Sequence, residues 1–300
     1  MAFSSDFKRQ SKGDKLFDVV NVILILLILL IVLYPMYFVL IASVSDAKLV
    51  IAGRVLVIPL KMNIDAYKMV FKDSTIVTGY VNSLIYMVVG TSLNVFLTTL
   101  AAYPLSRSDL KGRGFFMGVL MVTMFFSGGL IPTYMIMNSL GFVNTIWGVI
   151  FPGAISVYNT IVMRTYFMNS IPVELQEAAQ VDGCRNTVLL VKIIIPLSKP
   201  IIAVMLLFYG VGHWNGWFNA LIYLNDSLKY PLQLVLRSIL IQNQMSQEML
   251  GDIDTLGDRV MLAETIKYAL IVVATLPMMI IYPFLQRYFV KGVMVGAVKG

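Results

Sequence analysis

Fifty consecutive residues, Gly114 to Met163, carry no charged side chain. A water-soluble domain averages about one charged residue in four, so this run cannot belong to a soluble surface. It is also too long for one bilayer crossing, which takes roughly 20 helical residues. A turn signal, Asn138-Ser139-Leu140-Gly141, divides it into two helices. Four further uncharged runs follow the same logic: Val19 to Ser45, Ile76 to Ser106, Pro200 to Asn225 and Tyr268 to Gln286. Backbone groups in lipid must bond internally, so each run is helical. Over 300 residues the chain is 58% hydrophobic and 13% charged, in keeping with an integral membrane protein.

The fold expected is an all-α polytopic membrane protein with six transmembrane helices, at about 19–42, 77–101, 115–137, 145–166, 200–224 and 266–286. They form one domain over 19–290, with a loop at 167–198 and tails at 1–18 and 291–300. The first run follows a basic start (Lys8, Arg9, Lys12, Lys15), but its apolar core exceeds that of a signal peptide. It reads as a retained helix, kinked near Pro35. Six crossings put both termini on one side. The tails, Arg107–Arg113 and Arg164–Lys199 carry 14 Lys or Arg against seven acids, whereas the opposite side balances nine against nine. The positive excess makes the first side cytoplasmic.

The lone cysteine, Cys184, excludes an internal disulfide, and the lone histidine, His213, has no acidic or cysteine neighbour in sequence. No metal site is expected. The net charge of +7 is scattered over an apolar background, which argues against nucleic acid as a partner. No Gly-x-x-x-x-Gly-Lys-Ser/Thr run exists to cradle ATP phosphates. The centres of the expected spans hold no Asp, Glu, Lys or Arg, the residues an ion-coupled carrier relies on.

One stretch looks built for a soluble partner. It reads Glu177-Ala178-Ala179, three residues, Gly183, nine residues, Ile193, one residue, Ile195-Pro196. Ser170 and Pro172 suit a helix start, as a capping hydroxyl and a first-turn proline. Glu174 and Glu177 lie toward the positive end of that helix. Ala178 and Ala179 are small enough for another surface to approach the backbone. Gly183 can take the positive φ that ends a helix, and Asp182 precedes it. A short helix, a sharp bend and a second helix along the membrane face are expected.

This spacing resembles the EAA loop of ABC importer permeases, with Ile195 where leucine is usual. The likeness extends over about 77–300. Trp214-Asn215 with Phe218-Asn219-Ala220-Leu221 resembles the fifth-helix signature of carbohydrate importer permeases, and Tyr230-Pro231-Leu232-Gln233-Leu234-Val235-Leu236-Arg237 resembles their outer loop. Asn82-Ser83-Leu84 is similar to their second-helix start, and Tyr282-Pro283-Phe284 with Gln286 to Gly292 and Val298-Lys299-Gly300 to their tail. The smaller maltose-type subunits, and among them the Lpl branch of oligo- and polysaccharide permeases, match best.

The resemblance implies a subunit that performs no chemistry and sits in a bacterial plasma membrane. Its partners would be a second, non-identical permease, two cytoplasmic ATPases that carry the Mg-ATP, an extracytoplasmic binding protein or lipoprotein, and a carbohydrate. This chain itself would hold no cofactor. The loop, through Glu174, Glu177, Ala178, Ala179, Asp182, Gly183, Ile193 and Pro196, would be the coupling helix that docks on an ATPase.

Candidate pathway residues are Asn82, Tyr86, Trp214, Asn215, Trp217 and Asn219. Trp214 and Trp217 stand three apart, as on one helical face, and an indole beside amides suits a sugar. The same tryptophans could equally anchor at the membrane interface, and the amides could bond helices together. The function expected is translocation of an oligo- or polysaccharide driven by a separate ATPase. The alternatives are an ABC permease for another solute and, from a different class, a carrier that works without ATP.

Overall fold

The computed structural model describes residues 11–249, 266–283 and 286. The basic residues Lys8 and Arg9, the tail 291–300 and the motif from Phe284 onward, apart from Gln286, lie outside the described residues. Among the described residues the chain is helical, with turns and loops between helices and no strand. The described residues form two compact units: 11–72 with 243–249 and 266–273, and 73–242 with 274–283 and 286.

In the first unit, α1 runs unbroken from Lys12 to Ser43 through Pro35. It starts well before residue 19, because Ser11 and Asp14 form a reciprocal capping box. Its flanks are apolar on all sides, and only Ile41, Ala42 and Ser43 are buried. A helix apolar all round belongs in lipid or against another chain. Below it come α2 (Ala47–Ile51) and α3 (Asp65–Lys72). The connecting loop is pinned by Ser45, whose Oγ accepts from Leu60 N at 3.2 Å, and by Ser43, whose Oγ lies 2.8 Å from the Tyr67 hydroxyl.

The second unit is built on α4, Ser74–Ser106. Its buried face is rich in small and polar residues, Gly79, Ser83, Gly90, Thr91, Asn94, Thr98, Thr99 and Ala102, beside Ile76, Tyr86, Tyr103 and Leu105. Small side chains let membrane helices approach closely, and hydroxyls and amides bond across the gap. Two helices pack there, α8 (Val157–Ser170) and α11 (Lys199–Trp214). The Tyr209 hydroxyl sits 2.7 Å from Thr98 Oγ1 and accepts from Ser156 N at 3.2 Å, tying all three together.

The long uncharged runs are interrupted more often than their composition suggests. Arg113–Phe125 (α5) and Leu130–Ser139 (α6) diverge by 113° around Gly128-Gly129. Ile146–Ile150 (α7) stops at Pro152-Gly153 before α8 begins. After α11 the chain breaks at Asn215-Gly216-Trp217 and resumes as α12, Phe218–Tyr223. The expected turn at Gly141 is present, with φ +70°. The loop helices are α9 (Val173–Val181) and α10 (Asn186–Leu197). Beyond them stand α13 (Leu232–Met249) and α14 (Ile266–Pro283). Among the described residues, α1, α4 and α14 are each long and apolar enough to cross a membrane, and two bent pairs qualify if each counts as one span.

Candidate functional site

The loop after α8 presents α9 as an isolated knob. Of its nine residues only Ala179 is buried. Glu174, Glu177, Ala178 and Asp182 are exposed, and so are Val173, Leu175 and Val181, the last at 88%. A short helix that leaves three apolar side chains in the open has a surface suited to a partner. Ala179 differs from the sequence reading. It faces inward, onto a core that includes Tyr103, Met163, Phe167, Ile171 and Leu189, so its small size serves packing within the chain. Ser170 does not cap α9, because it is the last residue of α8; Pro172 holds the cap position without a side-chain bond.

The end of α9 is a Schellman motif. Gly183 N donates to Gln180 O at 3.0 Å, and Cys184 N donates to Ala179 O at 2.8 Å. Gly183 takes φ +71°, and no atom lies within 4 Å of where its Cβ would be. Cys184 packs against the same core as Ala179, the apolar contact that accompanies this motif.

Helix α10 then widens to a π-turn over Leu190–Ile194, with Ile195 N bonding back to Leu190 O. The cause is Pro196. Its ring lacks an N–H and would press on the carbonyl four residues back, and the wider turn gives it room. Ile193 is half-buried against the core, while Pro196 is exposed. Helices α10 and α11 meet at 83°.

Sequence reasoning missed what holds this loop to the bundle. Arg107, at the end of α4, is 7% exposed. Its guanidinium donates to both carboxylate oxygens of Asp109, at 2.8 and 2.7 Å, to the Tyr103 hydroxyl at 3.0 Å and to Asn186 Oδ1 at 3.1 Å. Asn186 is the first residue of α10, so the arginine bolts the loop to α4. Its hydrogen bonds hold the Asp109 carboxyl below the usual carboxylate range. Arg164 Nε adds a bond to Leu105 O at 2.8 Å. In the sequence these residues registered only as charges that orient the chain. The close spacing of Arg107 and Asp109 was the available signal.

A cavity of about 400 Å³ opens where two helix breaks meet. One wall is Val149, Pro152 and Gly153; the other is His213, Asn215, Gly216, Trp217, Phe218 and Asn219; Asn94 and Tyr209 complete it. Irregular backbone at membrane depth is tolerated where it is buried in protein or lines a water-filled cavity. Polar side chains take up the freed carbonyls. Asn219 Nδ2 donates to Val149 O at 3.3 Å and to Pro152 O at 3.5 Å, and Asn94 Nδ2 donates to Gly153 O at 3.4 Å. Asn94 Oδ1 lies 3.2 Å from His213 Nε2. Gly90 makes room for that imidazole, since a Cβ there would stand 2.5 Å from Nε2.

Three of the six pathway candidates, Asn215, Trp217 and Asn219, come together on this cavity. The other three are placed elsewhere. Trp214 is 1% exposed, donates from Nε1 to Ala274 O at 2.9 Å and meets the Tyr80 ring edge-on. Trp214 and Trp217 do not share a face, because α11 ends at Trp214 and the break turns Trp217 away. Asn82 Nδ2 donates to Leu228 O and Tyr230 O, at 2.8 and 3.1 Å, and the Tyr86 hydroxyl to Lys229 O at 2.6 Å. Both clamp the segment that leads into α13. Among the described residues no cluster of His, Cys, Asp or Glu could hold a metal ion.

No protein-family model matches the chain. It is 41% identical over 288 residues to the polygalacturonan/rhamnogalacturonan transport system permease protein YtcP of Bacillus subtilis (strain 168), covering 96% of this chain and 99% of that one. It is 39% identical over 290 residues to protein LplC of the same organism, covering 97% of each. Among solved structures, a chain of a bacterial ABC transporter involved in the import of the acidic polysaccharide alginate superposes with a TM-score of 0.84. That match has 32% identity and covers 93% of this chain and 99% of that one. Near-complete coverage at this identity, on an all-helical fold, makes the chain a member of the permease subunits of carbohydrate ABC importers.

Proposed function

We propose that this chain is one of two permease subunits of an ATP-driven importer for an acidic oligosaccharide or polysaccharide fragment. The observation that carries the coupling part is α9, a nine-residue helix with one residue buried and Val173, Leu175 and Val181 in the open. It is the surface on which a cytoplasmic ATPase would dock. The Schellman turn fixes its end, and the bolt from Arg107 to Asn186 would carry its displacement into α4.

On this reading the chain crosses the membrane six times with both termini in the cytoplasm. Helices α1, α4, α11 with α12, and α14 supply four crossings, and the broken pairs α5–α6 and α7–α8 supply two. An extracytoplasmic binding protein delivers the sugar, a second and non-identical permease completes the pathway, and two ATPases hold Mg-ATP. The acidic character of the substrate is carried over from relatives named for polygalacturonan and alginate.

Reconstitution tests the proposal. The full complex in proteoliposomes should take up oligogalacturonate only when ATP is supplied on the ATPase side. The permease pair without ATPases should be inert. Uptake by the pair alone would identify an ATP-independent carrier and overturn the reading.

A further inference from the structure

Arg237, on α13, stacks on Trp217, with its guanidinium carbon 3.9 Å from the indole centroid. We propose that this stacked pair is a carboxylate-reading element that selects uronate-bearing sugars at the cavity; the inference rests on the acidic-substrate reading above.

The geometry divides the work between the two sides of the guanidinium. Stacking at van der Waals distance occupies its flat face and uses the ring quadrupole. The N–H fork lies in the plane of the group, so stacking leaves it free for two parallel bonds to a carboxylate. Among the described residues no carboxylate pairs with Arg237, and the residue is exposed. Lys229, before α13, is already engaged, donating from Nζ to Asn144 O at 2.8 Å.

Trp217 links the arginine to the cavity. It is half-buried, lines the cavity beside Asn215 and Asn219, and packs against a core of Tyr86, Val149, Ala220, Leu224 and Leu234. Phe218 meets it edge-on at 5.6 Å, which fixes the ring plane. The indole is therefore a rigid platform that holds the guanidinium at one place. The cavity wall itself offers neutral groups, amides and an imidazole, suited to hydroxyls. Hydroxyls do not distinguish a neutral sugar from an acidic one. The stacked arginine supplies that distinction.

The test compares Arg237→Gln with Arg237→Lys in the complete reconstituted complex, with uptake counted per assembled complex. The probes are a galacturonate trimer and its carboxyl-reduced, neutral counterpart. Glutamine removes the charge and should lower acidic uptake at least tenfold relative to neutral uptake. Lysine keeps the charge but loses the flat stack and the fork, and should lower acidic uptake only about threefold. If the wild-type system rejects the neutral probe, the contrast between lysine and glutamine decides on the acidic probe alone. Equal acidic uptake by glutamine variant and wild type, parallel loss of both probes, or lysine no better than glutamine would each overturn the assignment. Parallel loss, or loss of complex yield, would instead mark Arg237 as a contact to the second permease. Those results leave the ATP-driven sugar reading standing, whereas wild-type complex inert toward both probes removes that reading as well.

Discussion

Gly183 shows how the structure sharpens a residue-level prediction. Its φ of +71° is unfavourable for a side chain, yet a Cβ there would meet nothing within 4 Å. The cost of substitution is conformational and not steric. An ordinary L-residue pays about 1–2 kcal/mol in this region, β-branched ones more, and asparagine least. Gly183→Asn should therefore keep most of the sugar-stimulated ATP hydrolysis of the assembled complex, while Gly183→Val should lose it. Equal loss in both would point to a missing contact with the partner instead of strain. Gly90 is the opposite case, with ordinary φ but a Cβ 2.5 Å from His213 Nε2. Gly90→Ala should destabilise by about 1–3 kcal/mol, the range for overpacking. The alanine double variant at Gly90 and His213 should recover part of that loss, as measured by thermal melting in detergent; additive losses would show that the clash is not with the imidazole.

Between elements, Arg107 bolts α4 to the start of α10. Arg107→Gln strips hydrogen bonds from Tyr103, Asp109 and Asn186. Bonds to a charged group are worth about 1.5–3 kcal/mol when buried, and the Asp109 side chain, 60% exposed, contributes at the low end. Asn186→Ala should lose part of the same energy, so the two changes together should cost less than their sum. Strict additivity in melting temperature would mean the residues are not coupled. The Asp109 carboxyl is held below its ordinary value in the folded protein. Its contribution is therefore present above the unfolded carboxylate value of about 3.9 and fades as pH falls through the lower folded value. The stability gap between wild type and Arg107→Gln should be flat from pH 6 to 8 and narrow only below about pH 4.

That the chain is built of apolar helices was legible because charge-free runs are a property of composition. Their interior breaks were not. Gly128-Gly129, Pro152-Gly153 and Asn215-Gly216 sit inside runs whose lack of charge looks the same whether the helix continues or stops. The breaks also shape the candidate site. The cavity is assembled from two of these breaks, and it separates Trp217 from Trp214, which a continuous helix would have aligned. The bend of the loop at 167–198 fared better, since its glycine and proline act through local backbone rules. The inward turn of Ala179 needed the core that only tertiary packing provides.

For the whole molecule, orientation rests on the surplus of Lys and Arg on one side. In a Cys184→Ser background, Met62→Cys should react with an impermeant thiol reagent applied to intact cells, because Met62 is 77% exposed on the expected outer side. Val181→Cys, 88% exposed, should react only after the cells are opened. The reverse pattern would place α9 where there is no ATP.

If α9 is the contact to an ATPase, Val181, the most exposed apolar residue of that helix, lies at the interface. A photo-reactive phenylalanine analogue at Val181, in membranes holding the complete transporter, should cross-link to the ATPase subunit, with a yield that changes when ATP is trapped. An adduct with the extracytoplasmic binding protein, or none with the ATPase in a complex that transports normally, would rule out α9 as that contact.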